Sequence, residues 1–189
     1  MPFDHFNLIA GLYDRTAQFN PPALLLDLLA LPPSGLLLDA GGGTGRVAKA
    51  LRSKVREVVV ADISRGMLRH AVDKGLATTC APTEHLPFAS GTFDRIIMVD
   101  ALHHVFDQRQ TVTELWRVLA PGGRVVIIEP DIRRFSIKLI ALVEKLLLMR
   151  SHFLDGEQIT YLFRNCDVQA RIVKYELNIF FLVEKSSQI

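Results

Sequence analysis

Two carboxylates and a cluster of glycines frame the first place in this chain where residue types and spacing could do chemistry. Asp39 closes an aliphatic run, Gly41, Gly42, Gly43 and Gly45 follow it, and Asp62 ends the next apolar run. Glycines directly behind a buried strand let bare backbone N–H and Cα groups close on a ligand without Cβ clashes. A carboxylate at the next strand end can accept the hydrogens of both hydroxyls of a ribose. The dinucleotide fingerprint G-x-G-x-x-G is met at Gly41 and Gly43 only, because Arg46 stands third, where close helix–strand packing wants glycine. No Gly-Lys-Ser/Thr follows, so a phosphate P-loop is also excluded. The pattern favours a ribose-bearing ligand and not a pyrophosphate.

Further along, His103 and His104 sit just past a predicted strand, at the carboxyl end where an open α/β sheet holds its ligands. Their ordinary pKa suits a base that removes a proton; the bland alternative is a loop cap or a pocket wall. His85, in "EHLPF", reads as part of a structural loop. Glu129 ends a strand and either faces the acceptor or orients the "EPD" turn. Arg133 and Arg134 either meet an anionic substrate or are simply solvated. Cys80 is expected to pack at a strand end, and with Cys166 it matches neither a metal spacing nor a disulfide framework, which suits a reducing cytoplasm. No coherent carboxylate/His ligand set implies a metal.

These residues need elements to position them. Strands are predicted at 35–40, 57–62, 76–80, 93–99 and 124–130, several continuously apolar as in strands buried on both faces. Helical patterns near 45–54, 64–75 and 107–119 are long enough for right-handed crossovers. Two β-like runs within 169–185 predict a closing antiparallel hairpin, and residues 3–14 and 20–31 read as helices split by "NPP". The expectation is a doubly wound α/β fold: a seven-stranded, mainly parallel sheet with one antiparallel strand and helices on both faces. One domain over 1–189 is expected, with N-terminal helices in 1–31 and a helical lid in 131–155.

Composition narrows the partners. A net charge of +2 offers no nucleic-acid surface. The opening residues, with Asp4 and no basic start, are not a signal peptide. The most apolar segment, 137–150, is interrupted by Lys138, Glu144 and Lys145 and is too short to span a membrane. Its wide apolar face suits a core helix, a lid over an apolar ligand, a dimer interface or transient membrane-surface contact, the lid being preferred. A cytoplasmic monomer or homodimer, at most peripheral to the membrane, is expected.

Taken in order, the motifs resemble the class I S-adenosylmethionine (SAM) dependent methyltransferases, particularly the quinone-biosynthesis group, with their Rossmann-like fold. Asp39-Ala40-Gly41-Gly42-Gly43-Thr44-Gly45 matches the motif D/E-x-G-x-G-x-G. Asp62-Ile63-Ser64-Arg65-Gly66-Met67-Leu68 matches the acidic-x-S-x-x-M-L motif. "EHLPFASGTFDRI" (84–96), "DALHHV" (100–105) and "RVLAPGGRVVIIEP" (117–130) resemble the following segments, so the match runs over 36–130. The resemblance implies that Asp39 and the backbone of Gly41, Gly42 and Gly43 face the cofactor's amino acid end. Asp62 would hold the ribose hydroxyls, Ile63 and Met67 would pack the adenine, and the Thr83 N–H would meet its edge. Asp100 or the Val99 carbonyl would receive the methionine ammonium, and Tyr13 would close over the cofactor. Pro82 stands where the family has an acidic residue, so the adenine amino group falls to Glu84 or a backbone carbonyl. The implied activity is methyl transfer to a small hydrophobic or aromatic acceptor, with S-adenosylhomocysteine as by-product. A SAM-binding scaffold without catalysis is the alternative from another class, and a nicotinamide-dependent oxidoreductase is disfavoured by Arg46.

Overall fold

The computed structural model describes residues 19–134, 137, 151–164, 166 and 168–187. Tyr13, the predicted helix over 3–14 and nearly all of 135–150 lie outside them. A single seven-stranded sheet runs through the described residues in the order β3-β2-β1-β4-β5-β7-β6. Its strands are β1 (Leu36–Ala40), β2 (Glu57–Asp62), β3 (Ala77–Cys80), β4 (Phe93–Val99), β5 (Leu119–Pro130), β6 (Val168–Tyr175) and β7 (Asn178–Lys185). β7 runs antiparallel to both neighbours, while β1, β2, β3, β4 and β5 pair in parallel. The winding direction reverses between β1 and β4, which opens a crevice at their carboxyl ends.

Alternation along each strand divides the core in two. Leu37, Ile97, Val126 and Ile128 point to one face and pack against α1 (Ala23–Leu29), α2 (Arg46–Leu51) and α3 (Arg65–Asp73). Leu38, Ile96, Met98, Val125 and Ile127 point to the other, under α4 (Gln108–Val118) and α5 (Gly156–Leu162). Because both faces are covered, the central strands read as unbroken apolar runs.

Three sequence expectations change. β5 begins at Leu119, not at residue 124, because the Pro121-Gly122-Gly123 stretch stays in the strand across a register shift opposite Phe93 and Arg95. α5 was not anticipated; its start is set by a capping box in which Asp155 accepts from the Gln158 N–H and the Gln158 side chain accepts from the Asp155 N–H. Cys80 does not pack: it is exposed, with its thiol 3.6 Å from the Ile63 carbonyl.

Candidate active site

The glycine loop turns sharply as it leaves β1. Gly41, Gly43 and Gly45 have φ of 68°, 55° and 72°, a region costly for residues with a Cβ. The N–H groups of Gly41 and Gly42 both donate to the Ala61 carbonyl, which ties the loop to the end of β2. Lys74 adds a bond from Nζ to the Thr44 carbonyl at 2.8 Å. At Gly45 a Cβ would stand 2.4 Å from Leu76 Cδ1 and 3.0 Å from Ala71 Cβ. The close-packing glycine is therefore Gly45, one position before Arg46, and the sequence expectation that Arg46 takes a close-packing place is corrected.

Asp62 is fixed from two sides. Its Oδ2 accepts the Gly43 N–H and its Oδ1 accepts the Ser64 N–H, each at 2.8 Å. These bonds set the plane of the carboxylate at the mouth of the crevice. Beside it, Ile63 exposes 69% of its surface, while Met67 is buried with its sulfur 3.9 Å from where a Gly43 Cβ would be. Nothing else presses on that Cβ position within this distance except Asp62 itself. The loop thus keeps open the space that a ligand would need.

Asp39 lies deeper than expected. It is 1% exposed and sealed beneath Gly42, whose Cβ would fall 2.5 Å from the Asp39 carboxyl carbon. Oδ2 accepts the Ala48 N–H at 3.1 Å, and Oδ1 is a buried acceptor with no partner among the described residues. Burial, with Asp62's charge adding to it, pushes the carboxyl from its ordinary 3.8 to about 7, against the pull of the Ala48 N–H and of Arg46. Asp39 supports the loop from below, and does not itself face the crevice.

Thr83 is buried, with Oγ1 3.1 Å from the Thr111 hydroxyl. Glu84 is engaged elsewhere: its Oε1 accepts the N–H groups of Phe106 and Asp107, at 2.8 and 3.1 Å, and its Oε2 lies 3.4 Å from Thr83 Oγ1. Its carboxylate secures the approach to α4 through Oε1. His85 is exposed.

At the ends of β4 and β5 a second cluster forms. Glu129 is 2% exposed and accepts from the N–H groups of Ala101 and Leu102 through Oε1 and from His103 Nδ1 through Oε2, at 2.5 Å. A carboxylate on Nδ1 makes Nε2 the accepting nitrogen of the neutral ring. The His103 ring stacks on Phe153 with centroids 4.3 Å apart, and His104 lies 4.0 Å away on centroids. His104 Nδ1 is 3.3 Å from the Ser151 hydroxyl, and the His152 N–H donates to the His103 carbonyl. Burial and the adjacent His103 drive the His104 pKa from 6.5 down to about 3, so this imidazole stays neutral. Asp100, at φ 51°, is pushed upward by burial and by Glu129, with His103 and Arg46 opposing. Residues 151–153 had no signal of their own in the sequence, since only the fold brings them to the histidines. Arg133, half-exposed, pairs with Asp155 and Glu157 and so ties the chain before residue 135 to the chain after 150.

Residues 38–127 match the family described as "Methyltransferase domain". The loop, the strand-end carboxylate and the sheet order all fall within or around that match. These residues, just under half of the chain, are similar to a methyltransferase domain. The chain is 37% identical over 101 residues to a demethylmenaquinone methyltransferase of Corynebacterium urealyticum, covering 53% of this chain and 44% of the relative. To a ubiquinone/menaquinone biosynthesis C-methyltransferase of Geotalea daltonii it is 36% identical over 114 residues, covering 54% and 48%. The chain thus spans about half the length of these curated relatives. In three dimensions it superposes on a SAM-dependent methyltransferase of Thermotoga maritima with a TM-score of 0.76 at 22% identity, covering 96% of this chain and 98% of the other. A chain from the Haloferax volcanii complex of the Trm112 methyltransferase activator with a methyltransferase gives 0.82 at 15% identity, covering 98% and 100%. At these identities the two structures share the fold.

Proposed function

We propose that this protein transfers a methyl group from SAM to a small lipophilic aromatic acceptor of the quinone-precursor class. The observation that carries the reading is Asp62, clamped by the Gly43 and Ser64 N–H groups at the end of β2, beside the strand at which the sheet reverses its winding. There it would hold a ribose, with Ile63 and Met67 against the base, the Thr83 N–H at the base's edge and the open loop at Gly41 to Gly43 along the amino acid end. SAM supplies an electrophilic methyl on a sulfonium.

The protein's part is to align an acceptor with that methyl and to manage one proton. Of the two histidines, His103 is better suited to take the proton: Glu129 holds its Nδ1 and stabilises the imidazolium that would form. His104, held neutral with its pKa near 3, is a weak base and would line the pocket with Phe153. The segment 135–150 is read as the acceptor lid, and Tyr13 as a closing residue. The quinone methyltransferases that the domain resembles support an acceptor of that class.

Incubation with methyl-labelled SAM and demethylmenaquinone, under reducing conditions that give the quinol, tests this. Label is expected in the organic phase, with His103→Ala lowering turnover by about 10²-fold or more. Tight SAM binding without label transfer to any hydroxylated aromatic acceptor would contradict the enzyme reading.

A further inference from the structure

One half-buried amide fastens the chain on both sides of His103. Gln108, the first residue of α4, donates from Nε2 to the Leu102 carbonyl at 3.1 Å and to the His152 carbonyl at 2.7 Å. An amide NH2 carries two donors, one for each carbonyl. Leu102 opens the 3₁₀ turn Leu102–His104 that carries the histidine, and His152 belongs to the stretch laid against that turn. The stretch and the turn meet again where the His152 N–H donates to the His103 carbonyl at 2.7 Å. The next residue, Phe153, lies almost flat on the His103 ring, 15° from parallel with centroids 4.3 Å apart.

Two sets of contacts hold His103. Glu129 takes the ring at Nδ1 and the turn at the N–H groups of Ala101 and Leu102. A bond at one edge of an imidazole leaves its tilt to whatever packs on its faces, here Phe153 on one side with His104 close by. Residues 151–153 are remote in sequence from the turn, so their place against it depends on the bonds that cross between them. Among the described residues, Gln108 supplies the one side-chain donor to their backbone. Without it, two carbonyl oxygens that converge on one nitrogen would be left as acceptors with no shared donor.

We propose that Gln108 is a positioning residue for methyl transfer: its amide clamps residues 151–153 to the 3₁₀ turn and, through Phe153, fixes the tilt of the His103 imidazole that takes the proton. This rests on the transfer reading given above. The clamp demands two donors at one point, which glutamine supplies and an ionised glutamate does not. The helix asks for the opposite, because a carboxylate in its first turn is favoured by the helix dipole. Clamp and helix therefore respond in opposite directions to Gln108→Glu.

The test compares wild type with Gln108→Glu, with Gln108→Met, which removes the donors without adding charge, and with Phe153→Leu. Histidine ring-proton NMR reads the stack. The Phe153 ring current should shift the His103 signals upfield in wild type, Phe153→Leu should abolish that shift, and both Gln108 variants should reduce it. Label transfer from SAM to demethylmenaquinol should fall roughly 10- to 100-fold in kcat in both Gln108 variants, with KM and S-adenosylhomocysteine affinity within about twofold of wild type. Retained S-adenosylhomocysteine binding also shows that the variants are folded. Unchanged His103 signals, unchanged kcat, or a fall in kcat matched by an equal fall in S-adenosylhomocysteine affinity overturns the proposal. So does full activity of Gln108→Glu with a raised Tm, which would make Gln108 a helix residue only. Wild-type protein that transfers no label overturns the transfer reading instead, and the His103 signals then still decide whether the clamp exists.

Discussion

Asp39 shows most clearly what a single residue does here. Its motif position suggests a ligand contact, yet Gly42 covers it and one carboxylate oxygen is left without a partner among the described residues. Because the folded-state pKa is about 7 against an ordinary 3.8, the folded chain holds this proton where the unfolded chain has lost it. Asp39 therefore lowers stability as pH rises from about 4 to about 7, and its cost is complete above that. Asp39→Asn keeps the acceptor for Ala48 and removes the charge. Urea unfolding should show the variant gaining on wild type across this window, by several kcal/mol at ~1.4 kcal/mol per pK unit; a difference that does not change with pH would contradict the account. Some residue roles were legible in the sequence and others were not, for physical reasons. Asp62 could be placed because a strand end and a glycine loop fix it locally. Glu84 could not, because the N–H groups of Phe106 and Asp107 that occupy it come from a distant loop.

At the scale of elements, the loop–helix junction at Gly45 carries the strongest steric demand. Gly45→Ala would force a Cβ into Leu76 and Ala71 at a left-handed φ of 72°. The expected loss is about 2–4 kcal/mol, from backbone strain together with overpacking. Thermal or urea unfolding checks it, and a loss under about 0.5 kcal/mol, the scale of a neutral surface change, would mean that the helix does not pack as described. The strands were readable because burial on both faces writes them as continuous apolar runs. The start of β5 was not, since Pro121, Gly122 and Gly123 carry turn chemistry while remaining in the ladder. α5 was missed because "GEQITYL" is short and mostly polar; the Asp155–Gln158 capping box was its one local signal. The pairing of His103 with Glu129 was half legible: each could be put at a strand end, but the contact depends on β4 and β5 being neighbours.

For the whole molecule, the sheet order explains why chemistry gathers at one end. Reversal of winding between β1 and β4 places the glycine loop, Asp62, Asp100 and the His103–Glu129 pair around one crevice, with α1, α2 and α3 covering one face behind them. Nearly the whole chain shares its fold with two solved structures, whereas sequence similarity to the quinone methyltransferases is confined to about half of the chain. That division is the one the proposed function expects, in which the sheet and loops would hold the cofactor and segments outside them would shape the acceptor's place. Among the described residues, no helix is long and apolar enough to cross a membrane. The most direct test of the central claim is a calorimetric titration of S-adenosylhomocysteine and NAD into wild-type protein and Asp62→Ala. The account predicts that S-adenosylhomocysteine binds wild type, that the variant loses about a hundredfold in affinity with the ribose contacts gone, and that NAD does not compete. Tight binding of NAD without S-adenosylhomocysteine, or unchanged affinity in Asp62→Ala, would contradict it.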